Sequence, residues 1–201
     1  MLTQSANLIV QLTSLIPTMR FTEDGPDLPD ELLEARDRGE VVFICGAGVS
    51  MPAGLPSFLS LAQQVVAELG VSKEDGAHVI LDQIVEAKDE YQPPIDQVFG
   101  RLRRNYGGLV DESVFRKLRI KKSTPLGKHK MLLQLSADAN GMPRLVTTNF
   151  DPLFELAQKG LNRYIAPELP GLCAIKAFSG IVYLHGRIPQ KSTEAIGSSY
   201  I

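Results

Sequence analysis

The chain has 201 residues and a mass of 22.0 kDa, with 44% hydrophobic and 22% charged residues and a formal net charge of −2. That balance is close to average globular usage and excludes collagen-like, disordered and coiled-coil chains. A chain this long buries a sizeable core without disulfides, and its two cysteines, Cys45 and Cys173, form neither a CxxC pair nor a four-thiolate zinc site.

In chain order, the opening MLTQSANLIVQLTSLIP is apolar but has no preceding basic residue and no small-residue cleavage site. No run reaches the roughly 18 apolar residues a membrane span needs. It reads as an amphipathic helix of a soluble, cytoplasmic protein. Acidic, Gly and Pro residues in FTEDGPDLPD (21–30) break the helical period, so 1–29 is expected to be a helical arm and linker. Asp30 then suits the cap of a helix ending at Gly39. VVFIC (41–45) is a continuous apolar run, which suits a strand buried on both faces of a parallel sheet. A Gly- and Pro-rich turn, GAGVSMPAGLPSF (46–58), follows it, and then a helix through LSLAQQVVAEL.

From 73 to about 140 the pattern is helical throughout, with four segments separated by Pro, Gly and Lys-rich breaks, and we read this stretch as a helical insertion. Strand character returns at RLVTTNFD (144–151), followed by a helix through PLFELAQKG with Asp151 as cap, and again at GIVYLHG (180–186). Strands alternating with helices predict an α/β fold, a Rossmann-like doubly wound parallel sheet with its site at the strand C-termini. The predicted domain spans 30–201.

Three turns carry candidate chemistry. In GAGVS a buried strand ends in glycines at a helix start, where backbone N–H groups can take a diphosphate; Gly46 and Gly48 allow close approach and Ser50 adds a hydroxyl donor. A glycine turn needed only for packing explains the same residues. In TTNFD, Asn149 offers a donor and an acceptor and Asp151 a carboxylate, together able to hold ribose hydroxyls or an amide. Capping alone also explains Asp151, but leaves Asn149 unused. His185 stands at the mouth of a strand, where a group titrating near neutrality can act as a base or hydroxyl partner, although a lone histidine is more often structural. His78 and His129 are taken as ordinary surface or packing residues. The acidic residue that holds the adenine ribose in a Rossmann dehydrogenase has no counterpart about 20 residues on, which argues against hydride transfer.

Taken in order, GAGVSMPAGLPSF, TTNFD and the strand-terminal HG resemble the sirtuin signature, and resemble more closely the sirtuin-like NAD-hydrolysing domains of prokaryotic anti-phage defence proteins. The resemblance covers 41–188. It implies that Gly46, Ala47, Gly48 and Ser50 lie around the NAD phosphates, and that Gly54, Pro56 and Phe58 belong to the following cofactor loop. It also implies that Thr147, Asn149 and Asp151 approach the nicotinamide ribose and carboxamide, and that His185 is the catalytic histidine. Where deacetylating members carry Pro-Asp-Phe-Arg this chain has Pro56, Ser57, Phe58 and Leu59, and it has Thr148 in place of their Gln. With no four-cysteine zinc module either, zinc is not expected and protein deacylation is disfavoured.

The expected reaction is NAD hydrolysis to nicotinamide and ADP-ribose, with NAD as substrate and Asn149 and His185 as the catalytic pair. The resemblance further implies an antiviral effector activated by assembly, as a homo-oligomer or with a sensor or ATPase partner, and the N-terminal part of a longer protein. Two readings compete: a module that senses NAD or ADP-ribose without turnover, and a nucleic-acid-associated subunit. The second rests on ten basic against two acidic residues between 101 and 130, a pattern that solvated helical faces also show. No membrane partner is expected.

Overall fold

The computed structural model describes residues 17–87, 93–170 and 178–188. The expected N-terminal helix and Cys173 lie outside the described residues. What was read as linker contains a two-stranded antiparallel pair, β1 (Thr18–Met19) and β2 (Leu28–Pro29). Its loop is closed by Arg20, which donates to both carboxylate oxygens of Asp27 at 2.9 and 2.7 Å. Both side chains are about half exposed, so this pair contributes little stability. Helix α1 (Asp30–Asp37) follows, and Asp30 is its first helical residue rather than its cap. Pro29, with ψ 133°, holds the boundary position and has no side-chain acceptor to offer.

Four parallel strands form the main sheet: β3 (Phe43–Cys45), β4 (Arg144–Thr147), β5 (Arg163–Ile165) and β6 (Gly180–Tyr183), in the order β3-β4-β6-β5. The register aligns Cys45 with Thr147, Thr147 with Tyr183, and Tyr183 with Ile165. All four strands therefore end level, and the turns GAGVS, TNFD and LHG leave the same edge. The interior strands β4 and β6 are buried along their whole length. The run 41–45, expected to be buried on both faces, is instead an edge strand that starts at Phe43, and its Ile44 is 75% exposed. Nothing among the described residues covers that end of the sheet face.

Between β3 and β4 come α2 (Phe58–Glu68), α3 (Gly76–Glu86), α4 (Asp96–Tyr106), α5 (Gly108–Lys117) and α6 (Gly127–Leu135). The last helix, α7 (Leu153–Ala157), follows β4. Ser57 accepts the Ser60 N–H to cap α2 at 3.1 Å, and Asp75 accepts the Ala77 N–H to cap α3 at 2.8 Å. Each cap contributes about 1 kcal/mol. Packing divides the helices in two. The first four bury a shared core that includes Val65, Leu81, Phe99 and Val110. By contrast, Leu133 of α6 and Phe154 of α7 cover the sheet face made by Cys45, Leu145, Ile181 and Tyr183. Phe150 and Leu153, just past β4, join the core of the four-helix cluster and so tie it to the strand ends. No helix among the described residues is long and apolar enough to cross a membrane.

Candidate active site

A cavity of about 580 Å³ opens where the sheet edge meets the helical cluster. The glycine turn and the start of α2 supply Ala47, Pro56 and Phe58, the β4 turn supplies Thr148, Asn149 and Asp151, and the β6 turn supplies His185. Six of the sequence-chosen residues thus share one wall system: Ala47, Pro56, Phe58, Asn149, Asp151 and His185. The helical cluster closes the opposite side with Asp96, Gln97 and Gly100 of α4 and with Leu118. Among the described residues, neither Lys nor Arg lines the cavity. Sequence reasoning missed Asp96 and Gln97, because a helix start tens of residues from either flanking motif carries no local mark of what it will face.

The turn after β3 runs as two consecutive 3-10 turns, Ala47–Val49 and Met51–Ala53. The first N–H groups of such a turn have no partner within it and remain free for an anion. Gly46, Gly48 and Gly54 are not on the cavity wall. A Cβ built on Gly48 would meet nothing within 4 Å, so protein packing does not require glycine there. Gly54 is required for another reason: it ends the second turn at φ 86°, in the left-handed region. Thr147 is also off the cavity. It is completely buried, its hydroxyl donating to the Cys45 carbonyl at 3.1 Å and accepting the Asn149 N–H at 3.1 Å, so it shapes the turn and does not meet a ligand.

Ser50 is corrected in the same way. It is 2% exposed and donates its proton to Asp151 Oδ2 at 2.8 Å, which leaves no donor for a phosphate. It also accepts from Asn149 Nδ2 at 3.0 Å, while the second Asn149 N–H goes to the Gly46 carbonyl at 3.1 Å. Both amide protons of Asn149 are therefore used inside the fold, and the group it presents to the cavity is Oδ1, an acceptor. The sequence reading had offered it as donor and acceptor alike. Ser50 is the hub that fixes Asn149 and Asp151 against the glycine turn.

Asp151 is 4% exposed, and its Oδ1 accepts the Leu153 N–H at 3.1 Å at the start of α7. Burial raises its carboxyl above the usual range, opposed by the bonds from Ser50 and Leu153 and by nearby His129. His129, set aside as an ordinary surface or packing residue, does pack: its ring meets Phe154 edge-on at 4.8 Å. It is also completely buried with Nε2 3.4 Å from Ser50 Oγ, and burial lowers its pKa, favouring the neutral ring. The sequence signal was its i, i+4 spacing to Leu133, which is likewise buried. His185, by contrast, is itself exposed and lines the cavity between the partly buried Leu184 and the buried Gly186. His78 Nδ1 donates to the Val71 carbonyl at 3.1 Å, away from the cavity.

Part of the basic segment is neutralised within the fold. Arg103 pairs with Asp111 at 3.1 Å, and Arg116 and Lys117 both hold Glu68, whose carboxyl they pull down to about 2. Among the described residues no group of three His, Cys, Asp or Glu stands together as a metal site.

The chain is 32% identical over 178 residues to a protein of Sinorhizobium fredii described as "Uncharacterized protein y4cA". The match takes in 85% of this chain but 14% of that much longer protein. No protein-family model matches the chain, and no solved structure matches it.

Proposed function

We propose that the chain is a Rossmann-like NAD-binding domain that hydrolyses the bond between nicotinamide and ribose, releasing nicotinamide and ADP-ribose. The observation that carries this reading is the meeting of Ala47, Asn149, Asp151 and His185, from three separate turns, on one cavity of about 580 Å³. The donor set suits the substrate. With no Lys or Arg among the described residues of the wall, the diphosphate would rest on the opening N–H groups of the first 3-10 turn, Ala47–Val49. The cationic nicotinamide would enter an apolar space walled by Phe58 and Phe150 and carrying the carboxylates of Asp96 and Asp151.

In the reaction the electron pair of the C1′–N bond leaves with the pyridine nitrogen, so nicotinamide departs neutral and needs no acid. A water oxygen bonds to C1′ and one proton is released. The developing ribosyl cation is stabilised by the buried Asp151 carboxylate, a preorganised charge in a water-poor site. Asn149 Oδ1 accepts from the attacking water or from a ribose hydroxyl and fixes its direction. His185, at the open mouth, takes the proton.

Asn149→Ala and His185→Ala should each keep the fold and lower nicotinamide release by at least about 100-fold. Full activity in either variant overturns the assignment, and binding of ADP-ribose by a wild-type chain that releases no nicotinamide would favour a sensing module instead. Control of this activity by assembly, with further copies or a sensor or ATPase partner in a cytoplasmic defence system, is proposed on the same footing. Its signature would be turnover that rises with protein concentration.

A further inference from the structure

Behind the cavity wall, a second, partly buried carboxylate gathers the elements that carry the candidate histidine. Glu155 of α7 accepts from Arg187 Nε at 2.5 Å and Nη2 at 3.2 Å, from Arg163 Nη1 at 3.0 Å and from the Tyr183 hydroxyl at 3.0 Å. Tyr183 is fully buried and Arg187 is 5% exposed. These donors come from β5, from β6 and from the stretch two residues past His185, so one carboxylate clamps the whole β6 turn to α7. The backbone adds two stitches: the Leu184 N–H donates to the Thr147 carbonyl at 3.0 Å, and the Ile188 N–H to the Phe150 carbonyl at 2.8 Å. Asn149 lies between those two acceptors. Gly186, at φ 85°, makes the sharp reversal between His185 and Arg187.

His185 itself is exposed, so packing of its own ring does not fix where it points. We propose that Arg187 and Glu155 are positioning residues for the reaction, holding the His185 turn at a set distance and angle from Asn149. This rests on the hydrolase reading above for its kinetic consequence, but its structural content can be tested without it. A charge-assisted fork between a guanidinium and a carboxylate fixes two atoms at once, which a lysine ammonium cannot do. Misplacing a reacting group by about 1 Å costs on the order of 100-fold in rate.

The test compares wild type with Arg187→Gln, Arg187→Lys and Glu155→Gln in the full chain, by nicotinamide-release kinetics and by NMR of ¹⁵N-labelled histidine rings. The chain has only three histidines, so the His185 signals are assigned by their loss in His185→Ala. The expected result is a 10- to 100-fold fall in kcat for Arg187→Gln with KM within about threefold, partial rescue by Lys, and broadened or shifted His185 ring signals. Folded Arg187→Gln with wild-type kcat and unmoved His185 signals overturns the proposal. If Arg187→Gln fails to fold, Glu155→Gln, which keeps an acceptor for the guanidinium, decides by the same two readouts. A wild-type chain that releases no nicotinamide removes the hydrolase reading, and the ring signals alone then decide whether Arg187 holds His185.

Discussion

Two carboxylates four residues apart, Asp151 and Glu155, are both withdrawn from water yet are treated in opposite ways. Asp151 faces the cavity held by the Ser50 hydroxyl and by backbone N–H groups, with no guanidinium or ammonium of the described residues in contact. Glu155 faces the strands and takes two guanidiniums and a phenol. The first is an undercompensated charge beside a space of ligand size, and the second, partly buried, is compensated twice over away from the cavity. Burying a charge without a counter-charge costs stability, so the fold tolerates at Asp151 what it avoids at Glu155. On the proposed reading the difference separates a residue that serves the reaction from one that serves architecture, although both read as acidic residues of the same short helical segment.

The comparison breaks most visibly at the architectural end. Glu155→Ala removes the carboxylate shared by the buried Arg187 guanidinium, Arg163 and the Tyr183 hydroxyl, and should lower the unfolding free energy by about 3 kcal/mol, read from urea melts. A loss below about 1 kcal/mol would mean that the cluster is not the clamp described. At the other end, Asp151→Asn should abolish most nicotinamide release yet raise stability at neutral pH by about 1 kcal/mol. The sign follows from its raised folded-state pKa. The stabilising term is fully present below the unfolded carboxylate range and is lost as pH rises through the folded value. The stability gap between variant and wild type should therefore close as the buffer is acidified, and a gap that widens instead would contradict a buried, undercompensated carboxylate. The smallest expected effect tests the glycine turn, which meets Asp151 through Ser50: Gly54→Ala, at φ 86°, should cost about 1 kcal/mol by thermal melting while leaving KM nearly unchanged, because that residue is off the cavity wall.

The parallel strands were legible wherever apolar runs were long enough to be buried. RLVT and GIVY became interior strands in register, and FIC became the edge. The strand Arg163–Ile165 was not legible, because three residues with an exposed arginine have neither a run nor an alternation to detect. The turn residues Ala47, Pro56, Phe58, Asn149, Asp151 and His185 were found because strand ends collect loops on one edge, a rule of topology that needs no side-chain detail. Wiring was out of reach. That Ser50 spends its proton on Asp151, that Thr147 turns inward, and that His129 closes the cluster from α6 all depend on contacts between segments about 80 to 100 residues apart. The opposing wall of Asp96 and Gln97 is hidden for the same reason: the helix period shows which face is apolar, not what stands across from its first turn.

The single thiol at the end of β3 offers a further handle. Cys45 is 4% exposed, and burial pushes its pKa up to about 11, so in the closed fold it is both shielded and protonated. Its carbonyl receives the Thr147 hydroxyl and the Thr148 N–H, two of the bonds that join the glycine turn to the asparagine turn. Alkylation of this sulfur, in a chain whose Cys173 has been replaced by serine, therefore works as a clock for how often those two turns part. Slowing of that clock by ADP-ribose would register ligand closure without any turnover at all.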